Sequence, residues 1–248
     1  MRILLSNDDG YLAPGIRALW DALHTLHDVL LIAPENNQSG VSSALTLKRP
    51  LRLTQHDAQI YSVDGTPTDS VHMGLTGLDD NDPDLVLSGI NQGANMGDDV
   101  IYSGTIAAAI EGRFLGLPAL AVSLASWEAK HYDSAVLATK HILSRLVDHP
   151  FTERMILNIN VPDLPWSDIK GFQVTRLGQR HRSEPVFREK DPRGQPIYWL
   201  GPAGEAADAG LGTDFYAVEQ GYVSITPIHT DLTYYAMMDK TRHWLEAT

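Results

Sequence analysis

A chain of 248 residues with 43% hydrophobic content can bury one large α/β core, alone or with an extension. Its net charge of −12, from 19 basic and 31 acidic side chains, argues against a nucleic-acid polymer as partner. A small phosphate ester stays open, because a bound divalent metal reverses the local field.

There is no cysteine, hence no disulfide, thiolate zinc site or cysteine nucleophile. No stretch approaches the roughly 18 apolar residues of a membrane span. The opening, MRILLSNDD, lacks the long apolar run of a signal peptide, so the expected location is the cytoplasm.

Residues 2–10, RILLSNDDG, read as a buried strand that runs into Asn7, Asp8, Asp9 and Gly10. In α/β sheets ligands sit beyond the carboxyl ends of the strands. Two adjacent carboxylates repel each other unless something positive lies between them, and a divalent metal is the simplest such group. Read plainly, one Asp caps the next helix and the other is solvated.

Ile16, Leu19, Trp20, Leu23 and Leu26 give a helix over 14–27 one apolar face, with Pro14 in its first turn. Residues 29–33 form a second strand, and the strand–helix–strand rhythm predicts a parallel sheet with right-handed crossovers. The polar loop 34–43, PENNQSGVSS, sets the Ser39 hydroxyl beside Gly40, where other groups can approach the backbone closely. An ordinary turn has the same composition. Strands are expected over 45–54, broken by Pro50, and over 59–63. Thr66, Pro67 and Asp69 then make a well-formed helix start, running to about residue 78, that reads at least as well structurally as functionally.

A strand over 84–88 opens into the richest polar stretch of the chain, SGINQGANMGDDVIYSGT at 88–105, followed by an alanine-rich helix over 106–115. The Ser103-Gly104-Thr105 entry presents N–H groups and hydroxyls where the helix dipole favours an anion. Helix capping alone would also select Ser and Thr there. A strand over 117–124 and a helix over 132–147 come next. The helix's apolar side is Val136, Leu137, Ile142, Leu143, Leu146 and Val147. A strand over 155–161 can close a doubly wound core.

The texture changes beyond residue 171. Strands at 172–177 and 196–200 flank a charged stretch, 179–193, as a long hairpin that cannot bury itself and is either mobile or packed on a partner subunit. Residues 201–212 read as a linker loop, 222–225 as a strand, and 231 or 233 to 246 as a last helix. The expected organisation is a core over 1–170 and an extension over 171–248, within one overall domain.

Four loops thus reach the carboxyl edge of one sheet: Asp8 with Asp9, Ser39 with Gly40, Asn91 to Asn95, and Ser103 to Thr105. Carboxylate, hydroxyl and carboxamide oxygens, without thiols or clustered histidines, point to Mg²⁺ or Mn²⁺ rather than structural zinc. The ten histidines are scattered and read as surface or packing residues.

NDDG at 7–10, Gln38-Ser39-Gly40, Gly65-Thr66-Pro67, the 88–105 segment, Thr213-Asp214 and Thr226-Pro227 together resemble the SurE family, in order over most of the chain. These are stationary-phase survival proteins that act as metal-dependent 5′/3′-nucleotidases. The resemblance implies a Rossmann-like, mostly parallel sheet flanked by helices, with a C-terminal extension that trades elements between subunits of a homodimer or homotetramer. It implies one divalent metal at Asp8, Asp9, Ser39 and Asn91. Gly40, Asn95, Ser103, Gly104 and Thr105 would hold the phosphate of a nucleoside monophosphate, with polyphosphate cleavage open as a further activity.

Asp8 and Asp9 are the expected catalytic residues, one of them also steering or deprotonating the attacking water. A rival route has Asp8 attack phosphorus to give an aspartyl-phosphate. RILLSNDD also looks like the opening of a receiver domain. That reading needs an acceptor Asp closing the third strand, for which Asp64 could serve, and a lysine closing the fifth, which is missing after 119–124. A nucleotide-sensing module on the same fold is the other non-enzymatic reading. Tyr102 is placed to clamp a base.

Overall fold

The computed structural model describes residues 1–78, 82–150 and 155–246. Strand β1 (Arg2–Ser6) sends alternate side chains into two cores. Ile3 and Leu5 pack with Ile16, Leu19 and Leu23 of helix α1 (Pro14–Leu23), while Leu4 joins a second cluster on the opposite face. Helix α1 ends a turn earlier than its periodicity suggests. His24 caps it through its N–H to the Trp20 carbonyl, and Leu26 is exposed.

Strand β2 (Asp28–Pro34) runs parallel to β1. The strand expected over 45–54 is instead a loop, and β3 (Leu53–Asp57) begins where that strand was to end. Pro50 interrupts any ladder there, and side chains satisfy the loop's backbone. Thr46 N–H donates to Asp69 (2.9 Å), the Thr66 hydroxyl donates to the Ala44 carbonyl (2.7 Å), and Arg52 N–H donates to Asp64 (2.7 Å). Strand β4 (Ile60–Val63) pairs antiparallel with β3. Helix α2 (Pro67–Thr76) opens on a reciprocal capping box: Asp69 N–H donates to the Thr66 hydroxyl, and Thr66 N–H donates to the Asp69 carboxylate.

Strand β5 (Leu85–Gln92) runs through Asn91, beyond its predicted end, and its ladder to the next strand is irregular between Ser88 and Asn91. A 3-10 turn at Gly97–Ile101 leads to α3 (Gly104–Phe114), then β6 (Ala119–Leu124), α4 (Tyr132–Asp148) and β7 (Ile156–Val161). Leu137 and Val147 of α4 face solvent, so the helix buries a narrower stripe than its apolar residues suggest.

The sheet does not stop at β7. Strand β8 (Phe172–Val174) lies at its far edge instead of pairing with 196–200. Two small antiparallel pairs follow: β9 (Gln179–Arg180) with β12 (Ala206–Asp208), and β10 (Phe187–Lys190) with β11 (Pro196–Trp199). The expected strand at 196–200 is thus present as β11 but pairs with a strand from within the charged stretch, and the expected linker contains a strand. Helix α5 (Asp214–Glu219), β13 (Val223–Ile228) and α6 (Tyr235–Glu246) complete the chain.

The nine-stranded order is β3-β4-β2-β1-β5-β6-β7-β13-β8. It is parallel from β4 to β7, with β13 antiparallel to β7. Strand β13 runs past Pro227 because β8 pairs with it only as far as Ile225, leaving the edge where a missing N–H costs nothing. Helices α1 and α4 cover one face, and α2 and α3 the other.

The extension is tied to the core by buried polar contacts. Asp214, fully buried, accepts from the N–H groups of Gly97 and Gly178, each at 2.8 Å. Arg180 pairs with Asp99 at 2.7 Å and lies over the Phe215 ring. Among the described residues no helix is long and apolar enough to cross a membrane.

Candidate active site

The chain steps outward from β1 to β2 and β4 on one side and from β5 to β6 and β7 on the other, so the winding reverses between β1 and β5. Ligands bind at such a switch point, beyond the strands' carboxyl ends. Asp8 and Asp9 follow β1 there, and Asn91 is the last residue but one of β5.

A cavity of about 270 Å³ opens at this point, lined by Asp8, Ser39, Gly40, Asn91, Asn95 and Ser103 of the expected set. The remaining three adjoin it. The Thr105 hydroxyl donates to Asp8 Oδ1 (2.6 Å), and a Cβ placed on Gly104 would stand 2.7 Å from that of Asp8. Asp9 Oδ2 accepts from Gln92 N–H (3.2 Å). A larger hollow of about 460 Å³, beside His141, Phe172 and Ile225, contains none of the expected residues.

Asp8 is 3% exposed. Burial, reinforced by the neighbouring Asp9 charge and opposed by the Thr105 hydroxyl, pushes its carboxyl up to about 6. Burial also raises Asp9, which is more open and accepts from Asn37 Nδ2 (3.2 Å). Among the described residues neither carboxylate has a Lys, Arg or His ion-pair partner. Their hydrogen-bond donors are all neutral.

The neighbouring loops are braced by residues that motif reading passed over. Asn37 accepts from both the N–H and the hydroxyl of Ser39 while donating to Asp9, so one side chain links two loops. Asn7 closes the turn after β1 through Gly10. Asn91 Nδ2 donates to the Gly93 carbonyl (2.9 Å), which leaves its own carbonyl oxygen as the free polar atom at the cavity. Ser103 caps α3, accepting from Ile106 N–H (3.1 Å). The Thr105 hydroxyl and N–H thus both turn to Asp8, while the Ser103 hydroxyl accepts in the cap and keeps its own O–H to donate. What the helix start offers an anion is the Ser103 O–H and the Gly104 N–H.

Asn95 sits in a buried polar clamp built from β6 and β7. Its N–H donates to Asn160 Oδ1 (2.8 Å), its carbonyl accepts from Asn158 and Asn160, and its carboxamide meets the Ser123 hydroxyl (2.8 Å). A hydroxyl both donates and accepts, so the carboxamide can turn Nδ2 toward the cavity without losing that bond. Replacing Asn160 by alanine strands the buried Asn95 N–H, at a cost of about 2 kcal/mol. Asn160→Ala should also lower kcat/KM about tenfold by loosening the loop, roughly the loss of one such contact. Thermal melts and steady-state kinetics check both, and an unchanged melt with unchanged kinetics would remove the clamp. The asparagines in MILNINV were the available signal, in a strand otherwise read as apolar.

Gln92, Ala94, Asp99, Tyr102, Trp127 and Ala203 complete the cavity wall. Trp127 and Ala203 come from stretches without a recognisable motif.

Fold and site together define a doubly wound α/β protein with a cavity at its switch point, where adjacent carboxylates meet a helix N-terminus. The family model described as Survival protein SurE matches residues 3–184, and the chain belongs to that family. A relative from Nitrosococcus oceani, named 5′-nucleotidase SurE, is 58% identical over 246 residues, covering 99% of this chain and 98% of its own. A protein of the same name from Xanthomonas euvesicatoria pv. vesicatoria is 58% identical over 248 residues, covering 99% and 96%. The crystal structure of SurE protein from Aquifex aeolicus superposes with a TM-score of 0.87 at 45% identity, covering 99% of this chain and all of the other.

Proposed function

We propose that this chain hydrolyses nucleoside 5′-monophosphates, and 3′-monophosphates at the same site, to nucleoside and phosphate, using one Mg²⁺ or Mn²⁺ held by Asp8, Asp9, Ser39 and Asn91. The observation that carries this reading is a pair of adjacent, desolvated carboxylates with only neutral donors around them, in the same cavity as a helix N-terminus. Unbalanced charge of that kind fits a divalent cation, and the Ser39 hydroxyl and Asn91 carbonyl add the neutral oxygens a hard ion takes. The names of the relatives supply the nucleotide as substrate.

When bound, the cation supplies Lewis acidity that polarises the phosphoryl group and acidifies water. The protein's own groups do the rest. The Ser103 hydroxyl and the Gly104 N–H at the start of α3, with Asn95, seat the phosphoryl oxygens and stabilise the charge that grows on them. Asp9, the more open carboxylate, orients the water that attacks phosphorus and accepts its proton. Asp8 is held in one rotamer by Thr105. The phosphorus–ester oxygen bond breaks, the nucleoside's oxygen takes a proton from solvent, and Asp9 gives up to solvent the proton it accepted.

The test is phosphate release from 5′- and 3′-monophosphates and from inorganic polyphosphate, whose end presents the same phosphoryl group. Each is run with Mn²⁺, with Mg²⁺ and with chelator. Turnover on monophosphates that disappears with chelator is expected, and turnover that survives metal removal overturns the metal assignment. The composition supports a cytoplasmic setting.

The assembled form belongs to the same proposal. Helix α6 buries none of its residues and exposes Tyr234, Tyr235, Trp244 and Leu245 beside it or along it, while the hairpin exposes Phe187, Tyr198 and Trp199. An isolated helix of this length and a lone two-stranded hairpin are each marginal in water. Both are read as contacts between copies of this chain. Light scattering should give a dimeric or tetrameric mass, and a strictly monomeric active protein contradicts it.

A further inference from the structure

A tryptophan that is 82% exposed is unremarkable at a floppy loop tip. Trp127 is not at one. Its carbonyl accepts from Gln92 Nε2, at the end of β5, and Gln92 Oε1 accepts from the Tyr132 hydroxyl (3.3 Å) at the start of α4. One side chain therefore ties the middle of the loop and its far end to the switch point.

The indole's six-membered ring rests on Gly93: a Cβ built there would stand 3.1–3.3 Å from it, so any larger residue would lift the ring. Most of the side chain stays open while its backbone and inner side are fixed. Trp127 lines the same cavity as Asp8, Asn95 and Ser103, together with the exposed Tyr102.

Resting on the nucleotidase reading above, we infer that Trp127 is the stacking platform for the substrate's base, and that it biases the site toward purine over pyrimidine nucleotides. A nucleobase is a flat, neutral π-system, so the acidic cavity does not repel it, and an indole held in place stacks on it with little ordering left to lose. A purine covers more of the indole than a pyrimidine does, so its binding depends more on the ring. The phosphoryl end is fixed by groups common to every phosphate ester, which leaves discrimination among them to the wall residues.

The test compares adenosine 5′-monophosphate, cytidine 5′-monophosphate and ribose 5-phosphate, which lacks a base, on the parent, Trp127→Ala and Trp127→Phe. In Trp127→Ala the ratio of kcat/KM on the adenine nucleotide to that on ribose 5-phosphate should fall roughly tenfold, the size expected for losing one base–aromatic stack. The ratio for the cytosine nucleotide should fall less, and Trp127→Phe should restore most of both. An unchanged ratio, whether from equal losses on all three substrates or from no loss, overturns the inference. A parent that hydrolyses none of them refutes the nucleotidase reading instead. The platform is then decided by indole fluorescence: quenching by the adenine nucleotide in the parent and not in Trp127→Phe upholds it, and no quenching overturns it.

Discussion

Asp8→Asn should lower phosphate release by at least about 10³-fold, more than loss of one transition-state hydrogen bond, and at the same time make the metal-free protein more stable. The first effect follows from the proposed chemistry, since the carboxamide carries no charge to hold a cation. The second follows from burial. The Asp8 carboxyl is raised from 3.8 to about 6 in the folded chain, so the folded state binds the proton more tightly than the unfolded one. The stability linked to that proton is fully present below pH 3.8 and is lost as pH rises through 6. At neutral pH the buried charge costs up to about 3 kcal/mol, which asparagine avoids while still accepting the Thr105 hydrogen bond.

Melts of both proteins in chelator should therefore differ most above pH 7 and converge near pH 4. Each kcal/mol is worth about 2–4 °C in a chain of this size. Saturating Mn²⁺ should raise the parent's melting temperature and leave the variant's nearly unchanged. A variant that still turns over nucleotide removes Asp8 from the mechanism. A variant less stable than the parent at neutral pH contradicts the uncompensated charge.

Gly15→Ala should destabilise the fold by about 3 kcal/mol or more, lowering the melting temperature by roughly 8 °C, and should cut activity although Gly15 touches no proposed ligand. Helix α1 meets β5 so closely here that an alanine Cβ would lie 1.9 Å from the Ile90 carbonyl oxygen. Both partners are backbone, so no rotamer change relieves the clash. Either the first turn of α1 lifts off the sheet, opening the core around Ile16 and Leu19, or β5 moves. Asn91 is the next residue along β5, so movement there displaces a proposed metal ligand. A melt within 2 °C of the parent, about the effect of a neutral surface change, would show that the helix slides aside freely.

Much of the site was legible because its signals are local. Asp8, Asp9, Ser39, Asn91, Asn95 and Ser103 each lie within a few residues of a short apolar run, and strand ends are where an α/β sheet collects ligand groups. The helix starts at Thr66 and Ser103 could be read for the same reason, since a cap is a contact over three residues. The extension resisted such reading. Strands β8, β9 and β12 are short, largely exposed and held by partners far along the chain, so neither periodicity nor turn residues mark their pairing. The loop over 45–52 misled for a related reason: its apolar alternation resembles a strand, but its backbone is satisfied by Asp64, Thr66 and Asp69.

The sequence by itself determined the alternating order of strands and helices through β7, the family, and which polar loops meet at one sheet edge. Those follow from residue spacing and from the rule that parallel strands end on the same side. The tertiary structure alone decided what surrounds those loops. It placed Asn160 under Asn95 across 65 residues of chain, gave Asp8 only neutral hydrogen-bond donors, and brought Trp127 and Ala203 to the cavity wall. Such relations depend on which segments pack together in space, and burial then sets the charge state of a carboxylate whose sequence neighbours alone would leave it ordinary.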